Sequence, residues 1–349
     1  FIIGALFGRL GTGSIIEDLG NRKVLIAGAV VFIVTSALYY AAVNLTLLII
    51  FRLLHGMAFG IMTTAVGTII AKVIPAHRRG EGIGYYSMGA ILAVALGPFI
   101  GIILIQYMSF KMIFIFTTIL AIISFAISFF IDEPATESSA HKQEKVMKRM
   151  RLANFLEFKA IPISIIILII GFSYSGLLTF ISLYAEQIHL EKAASFYFLI
   201  YSITVLISRP VSGRLLDVRG ENFVIYPTLF LYALGMLLFS QANQDITLLL
   251  AGVIIGLSYG NLISCAQAVS IKGVPSHRLG LATSTYFIFV DLGFGIGPYM
   301  LGFLISYTGY RGLYLMMVFV ILASIIIYYF LHGRKVSAKQ LPRMFSGPE

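Results

Sequence analysis

The sequence predicts an all-α membrane protein made of two related halves, and three observations carry that prediction. The composition is 59% hydrophobic and only 11% charged, with a mean hydropathy of +0.94, far outside the range of soluble globular chains. Apolar runs of roughly 20 residues, each long enough to cross about 30 Å of hydrocarbon, recur through the whole chain. The stretch PAHRRG at 75–80 returns as PSHRLG at 275–280, 200 positions later.

Eleven apolar runs follow one another: 1–17, 24–43, 46–71, 82–106, 112–131, 161–184, 194–216, 223–241, 246–271, 281–305 and 312–331. None alternates apolar with polar over ten residues, as the strands of a membrane barrel would, so each reads as a helix. The run 46–71 carries Arg52 and His55, and 281–305 carries Asp291, the only acid well inside an apolar run. The run 161–184 places Ser175, Thr179 and Ser182 on one face, continued by Glu186, at helical spacing. The one long polar stretch, 132–160, has the composition of a solvated or membrane-surface linker. The expected organisation is an N-terminal bundle over 1–131, the linker 132–160, a C-terminal bundle over 161–332 and a tail over 333–349.

A shift of 200 residues superimposes the halves without a gap. Arg9 falls on Arg209, Gly13 on Gly213, Gly20 on Gly220, Gly56 on Gly256, Gly60 on Gly260, and Gly97-Pro98 on Gly297-Pro298. A constant offset over so many glycines, prolines and charges marks a tandem duplication, a layout that membrane transporters use to build a site between repeats. The same offset sets the equivalent of 161–184 before Phe1. Twelve helices are therefore expected in the intact protein, with the first and the start of the second absent here.

Orientation follows from the basic residues. Alternate loops, 18–23, 72–80, 132–160, 214–222, 272–280 and 332–349, carry 19 of the 25 Lys and Arg, whereas the opposite loops hold Lys111, Lys192 and Arg311. The linker and C-terminus are thus expected in the cytoplasm of a multi-pass cell-membrane protein. The net charge of +10 is topology at the anionic leaflet, not a nucleic-acid surface. His77, Arg78, His277 and Arg278 in these loops are expected to be solvated. No HExxH, GxxxxGK[ST] or GxSxG motif occurs, the single Cys265 supports neither disulfide nor metal site, and neither enzyme activity nor a cofactor is expected.

Three motifs carry a family resemblance. RLGTGSIIEDLGNRK (9–23), with Gly13, Glu17, Asp18, Gly20 and Arg22, resembles the loop signature of the major facilitator superfamily; GRLLDVRGEN (213–222) repeats it with Gly213, Asp217 and Gly220. LIIFRLLHGMAFG (48–60) is similar to the family's motif of a buried arginine and a following glycine, and GYYSMGAILAVALGPFIG (84–101) to the signature of its drug/proton antiporter branch. The resemblance implies the major facilitator fold, two pseudo-symmetric six-helix bundles. It further implies proton-coupled export of small amphipathic or drug-like molecules by alternating access, with import or export of a sugar or other metabolite as the alternative. The partners are then a small-molecule substrate, protons and the bilayer, and the chain is expected to act as a monomer.

Site assignments follow from the resemblance and the repeat together. The signature acid, Glu17 or Asp18, is expected to reach the partially positive N-terminus of the helix over 281–305 and latch the cytoplasmic side. Arg209 joins these gating positions as the repeat of Arg9. What breaks the repeat suggests coupling: Asp291 aligns with Ile91, Arg52 with Gly252 and His55 with Ile255. An intramembrane acid facing a cavity can take up and release a proton. Because its own helix offers no Lys or Arg, Asp291 must find any partner on another helix. Cavity candidates are Ser175, Thr179, Ser182 and Tyr174 from one helix and Tyr259, Asn261, Ser264 and Gln267 from 246–271, with Phe180 and Tyr184 adding aromatic surface.

Overall fold

The computed structural model describes residues 1–107, 110–131 and 155–336. Expectations for the linker over 132–154 and the tail over 337–349 fall outside the described residues. Regular structure among the described residues is entirely helical: α1 (Ile2–Leu19), α2 (Asn21–Leu38), α3 (Leu45–Val73), α4 (Arg79–Tyr107), α5 (Phe110–Ser128), α6 (Ile161–Gln187), α7 (Glu191–Arg219), α8 (Glu221–Ser240), α9 (Asp245–Ile255), α10 (Asn261–Ser270) and α11 (Leu279–Tyr328). A single wide π turn, Gly256–Gly260, joins α9 to α10. Gly309, at φ 65°, breaks α11 into two arms. Counting α9–α10 as one crossing and α11 as two, the described residues hold eleven helical segments, in register with the eleven apolar runs.

The duplication is visible in the backbone. Gly20 joins α1 to α2 at φ 85° and Gly220 joins α7 to α8 at φ 87°. Both turns need the left-handed region, which a side chain opposes by about 1–2 kcal/mol. Two of the glycines at the 200-residue offset are therefore explained by one local requirement.

The chain packs as two compact units, each drawing on both sequence halves. The first comprises the described residues of Phe1–Pro75, Pro98–Ile161 and Gly273–Asp291; the second, those of Ala76–Gly97, Pro162–Lys272 and Leu292–Glu349.

In the first unit, α1 lies against α3 at backbone contact. A Cβ on Gly8 would stand 2.3 Å from the Met57 carbonyl oxygen, and one on Gly56 2.0 Å from that of Phe1. Small residues four apart allow this approach where lipid offers no hydrophobic driving force. Ile16, Val24, Leu25, Ala65 and Ile69 form a buried core between α1, α2 and α3. Arg22 Nη2 donates to the Phe129 carbonyl at 2.8 Å, fixing the start of α2 to the end of α5. Ile115, Ile119, Ile122, Ile123 and Ile127 leave α5 with an exposed apolar face, as a helix against lipid requires.

The second unit is built around buried aromatics: Tyr184, Tyr197, Tyr232, Phe239 and Tyr314 are fully enclosed. Tyr184 Oη lies 3.2 and 3.1 Å from the carbonyls of Phe239 and Ser240 and donates to them, so a buried hydroxyl is satisfied by the end of α8. Gly297 sits where any Cβ would meet Ser175 Oγ at 1.9 Å, whereas nothing stands within 4 Å of a Cβ on Gly97. The two glycines of the repeated dipeptide thus have different surroundings.

Candidate functional site

The acid singled out in the sequence has a partner in the first unit. Arg9 on α1 donates through Nε to Asp291 Oδ2 at 2.7 Å and through Nη2 to Oδ1 at 3.4 Å. The pair is enclosed, with side chains 2% and 14% exposed. A guanidinium and a carboxylate at this depth need each other, since either alone would be an uncompensated charge. Arg9 is further held by α3: its Nη1 donates to Thr63 Oγ1 at 2.9 Å and Thr64 Oγ1 at 3.4 Å. Its guanidinium carbon lies 4.5 Å from the centre of the Phe287 ring, within cation–π range. Ser284, two helical turns before Asp291, donates to the Arg9 carbonyl at 2.7 Å. One residue of α1 is therefore gripped by side chain and backbone from the first arm of α11.

Arg209, the repeat of Arg9, is held differently. Its Nη2 donates to the Gly260 carbonyl at 2.8 Å, and the position equivalent to Asp291 is Ile91, which is buried. The repeat thus keeps the arginine twice and the aspartate once.

The second copy of the loop signature is set against a helix start. In the second unit Asp217 accepts from the backbone amides of Gly80 at 2.8 Å and Glu81 at 2.9 Å, the first free N–H groups of α4, where a carboxylate meets the positive end of the helix. Gly213 makes this possible, because a Cβ there would stand 2.6 Å from the Gly80 carbonyl. In the first unit Gly13 packs on Ser284 and Gly280 on Ile16, while Glu17 and Asp18 are exposed. Asp217→Ala is expected to destabilise the protein by about 1–2 kcal/mol, read as a lower melting temperature in detergent, and to reduce transport while sparing membrane insertion.

His55 and Arg52 stand apart from the Arg9–Asp291 pair. His55 Nδ1 lies 2.8 Å from Tyr39 Oη and Nε2 3.4 Å from Ser36 Oγ, with the Phe32 ring centred 4.2 Å away. Both ring nitrogens have hydroxyl partners, as a structural histidine does. Arg52 lies over the Tyr39 ring at 5.7 Å. Along α3 this cluster is about 12 Å from Thr63, at 1.5 Å per residue.

The proposed cavity residues divide in two. Tyr174 stacks on Tyr259 with ring centres 3.8 Å apart and planes at 13°, and the π turn that carries Tyr259 has no counterpart in α3. Asn261 is committed to packing: its Nδ2 donates to Ser208 Oγ and the Leu257 carbonyl, both at 2.8 Å, and its Oδ1 accepts from Ser212 Oγ at 2.8 Å. Ser175 and Ser264 return their hydroxyls to their own helices, at the Phe172 and Asn261 carbonyls, and Gln267 is buried. Thr179 and Ser182 are exposed on α6.

In the loops, His77, Arg78 and His277 are exposed as expected, but Arg278 is not simply solvated: its Nε donates to Glu157 Oε2 at 2.5 Å. Arg9 and Glu157 are the residues that sequence reasoning missed as partners.

An all-helical membrane protein whose loop signature and glycines recur at a fixed offset has the layout of a membrane transporter of duplicated fold. The family model described as Major Facilitator Superfamily matches residues 1–289 and 196–346, and the chain belongs to that superfamily. An uncharacterized MFS-type transporter of Methanocaldococcus jannaschii is 26% identical, over 89% of this chain and 84% of that protein. The multidrug resistance protein MdtG of Enterobacter lignolyticus is 23% identical, over 98% of this chain and 83% of its own. Among solved structures, the human organic anion transporter MFSD10 aligns with a TM-score of 0.77 at 16% identity, over 94% of this chain and 81% of that one, which shows the fold.

Proposed function

We propose that this transporter exports small amphipathic, drug-like molecules from the cytoplasm in exchange for protons, by alternating access, with Asp291 as the proton carrier. The observation that supports this most is the Arg9–Asp291 pair, an ion pair between α1 and α11 inside apolar helices. Protonating Asp291 removes the charge that Arg9 holds, and the link loosens. Arg9 then loses its counter-charge but keeps hydrogen-bond and ring partners in Thr63, Thr64 and the Phe287 face. The proton therefore changes one bond between helices and leaves the rest of the site in place, as a coupling switch requires.

The antiporter-like stretch at 84–101 and the relationship to a protein named for multidrug resistance favour export. In this reading the linker and C-terminus lie in the cytoplasm, and Asp217 serves the closed state of the gate. Arg52 and His55 are kept as secondary coupling groups. Everted membrane vesicles test the proposal. A lipophilic cationic dye is expected to accumulate when the vesicle interior is acidified and to leave when a protonophore is added. Gradient-independent dye movement, or gradient-driven nutrient uptake by intact cells in its place, would contradict it.

A further inference from the structure

We infer that the last residues of the linker are a clasp on the first arm of α11, with Glu157 the residue that positions that arm against α1. The inference goes beyond the coupling role of Asp291 and does not depend on it.

Glu157 ends a polar stretch, where a carboxylate would ordinarily be solvated, yet the residue is 6% exposed. A carboxylate so enclosed must be paired, and three bonds from residues 157–159 reach residues 273–285. Arg278 Nε donates to Glu157 Oε2 at 2.5 Å. The Glu157 amide donates to Thr285 Oγ1 at 2.9 Å, and that hydroxyl in turn donates to the Leu281 carbonyl at 2.7 Å. Lys159 Nζ donates to the Gly273 carbonyl at 3.0 Å. Ala160, which follows directly and leads into α6, is fully buried.

Neighbouring hydroxyls on α11 hold it from two sides. Ser284 donates to the Arg9 carbonyl on α1, and Thr285 receives the Glu157 amide. Since successive helical residues point about 100° apart, the first arm of α11 cannot turn or tilt away from α1 without straining or breaking the linker contact. The repeat shows that this arrangement is particular to one half. Arg78, the equivalent of Arg278, pairs with Glu81 one turn further along its own chain, at 2.9 Å, in an exposed position. The residue equivalent to Glu81 is Leu281, so Arg278 lacks that local acid and takes its carboxylate from the linker.

The test uses the full-length protein with Cys265→Ala and a reporter Ile16→Cys, a position that is 1% exposed and packs on Gly280. The rate of thiol labelling then reads how often α1 and α11 part. Glu157→Gln and Arg278→Gln are each expected to speed labelling about tenfold, and the double variant no more than either alone, because the two act through one bond. Thr285→Val, which removes the amide's partner together with the hydroxyl's own bond to the Leu281 carbonyl, is expected to speed it in the same direction. Dye-transport kcat, counted per dye-binding site so that unfolded molecules do not enter it, should change with KM held within about twofold. Labelling rates unchanged in both single variants, or multiplying to about a hundredfold in the double, would overturn the clasp. If Glu157→Gln does not fold, unchanged labelling in Arg278→Gln and Thr285→Val overturns it equally.

Discussion

Asp291→Asn is expected to abolish uphill, gradient-driven efflux, by at least tenfold in initial rate, while leaving dye binding and downhill exchange within about twofold. Asn keeps the size of the side chain and one acceptor for Arg9 Nε, whose present distance to Oδ2 is 2.7 Å, so the helices should still pack. What is lost is the proton. A transporter whose coupling acid cannot titrate still rearranges around its substrate but no longer draws on the gradient. Counterflow in proteoliposomes and uphill efflux in everted vesicles separate the two, and uphill efflux persisting in the Asn variant would remove Asp291 from coupling.

Arg9→Met is expected to be the more damaging change to the fold. It leaves the Asp291 carboxylate, 14% exposed, without its guanidinium, and removing one partner of a buried pair costs about 3–5 kcal/mol. The double variant Arg9→Met with Asp291→Leu should regain most of that loss, because two apolar side chains replace two charges that had been taken out of water. Melting temperature in detergent reads this directly: a large drop in the single and a near-return in the double. Equal drops in both would mean that Arg9 acts through Thr63, Thr64 and its stacking on Phe287, not through the acid.

The helices were legible because a bilayer imposes one length and one composition on anything that crosses it. The duplication was legible because glycines at fixed backbone positions, such as Gly20 and Gly220 at φ 85° and 87°, leave a trace that apolar words do not. Asp291 was legible as an acid in the wrong solvent. Its partner was not, because a contact across 282 residues depends on which helix faces which, and no periodicity encodes that. A signal did exist. Arg9, Arg52 and Arg209 are the basic residues well inside apolar runs, away from their ends, and Asp291 is the one acid so placed, so one of the three was the natural candidate.

The loop signature shows a different limit. The pattern named Asp217 only as the repeat of the first signature's acid, and the structure adds its partners, the two amides at the start of α4. What a repeat leaves unsaid is the packing around each copy, as the different residues Ile91 and Asp291 at one aligned position show. Glu157 was invisible for a simpler reason: at the end of a polar linker it looks like any solvated acid, and only its burial against Arg278 and Thr285 reveals it.

Proton release on substrate binding tests the central claim most directly. Detergent-purified intact protein, first equilibrated in weakly buffered acidic solution so that Asp291 starts protonated and its link to Arg9 is loosened, is expected to acidify the medium when mixed with a lipophilic cationic dye as Asp291 gives up its proton, and the Asp291→Asn variant to bind the same dye with no release. Equal proton release from both proteins would contradict the account.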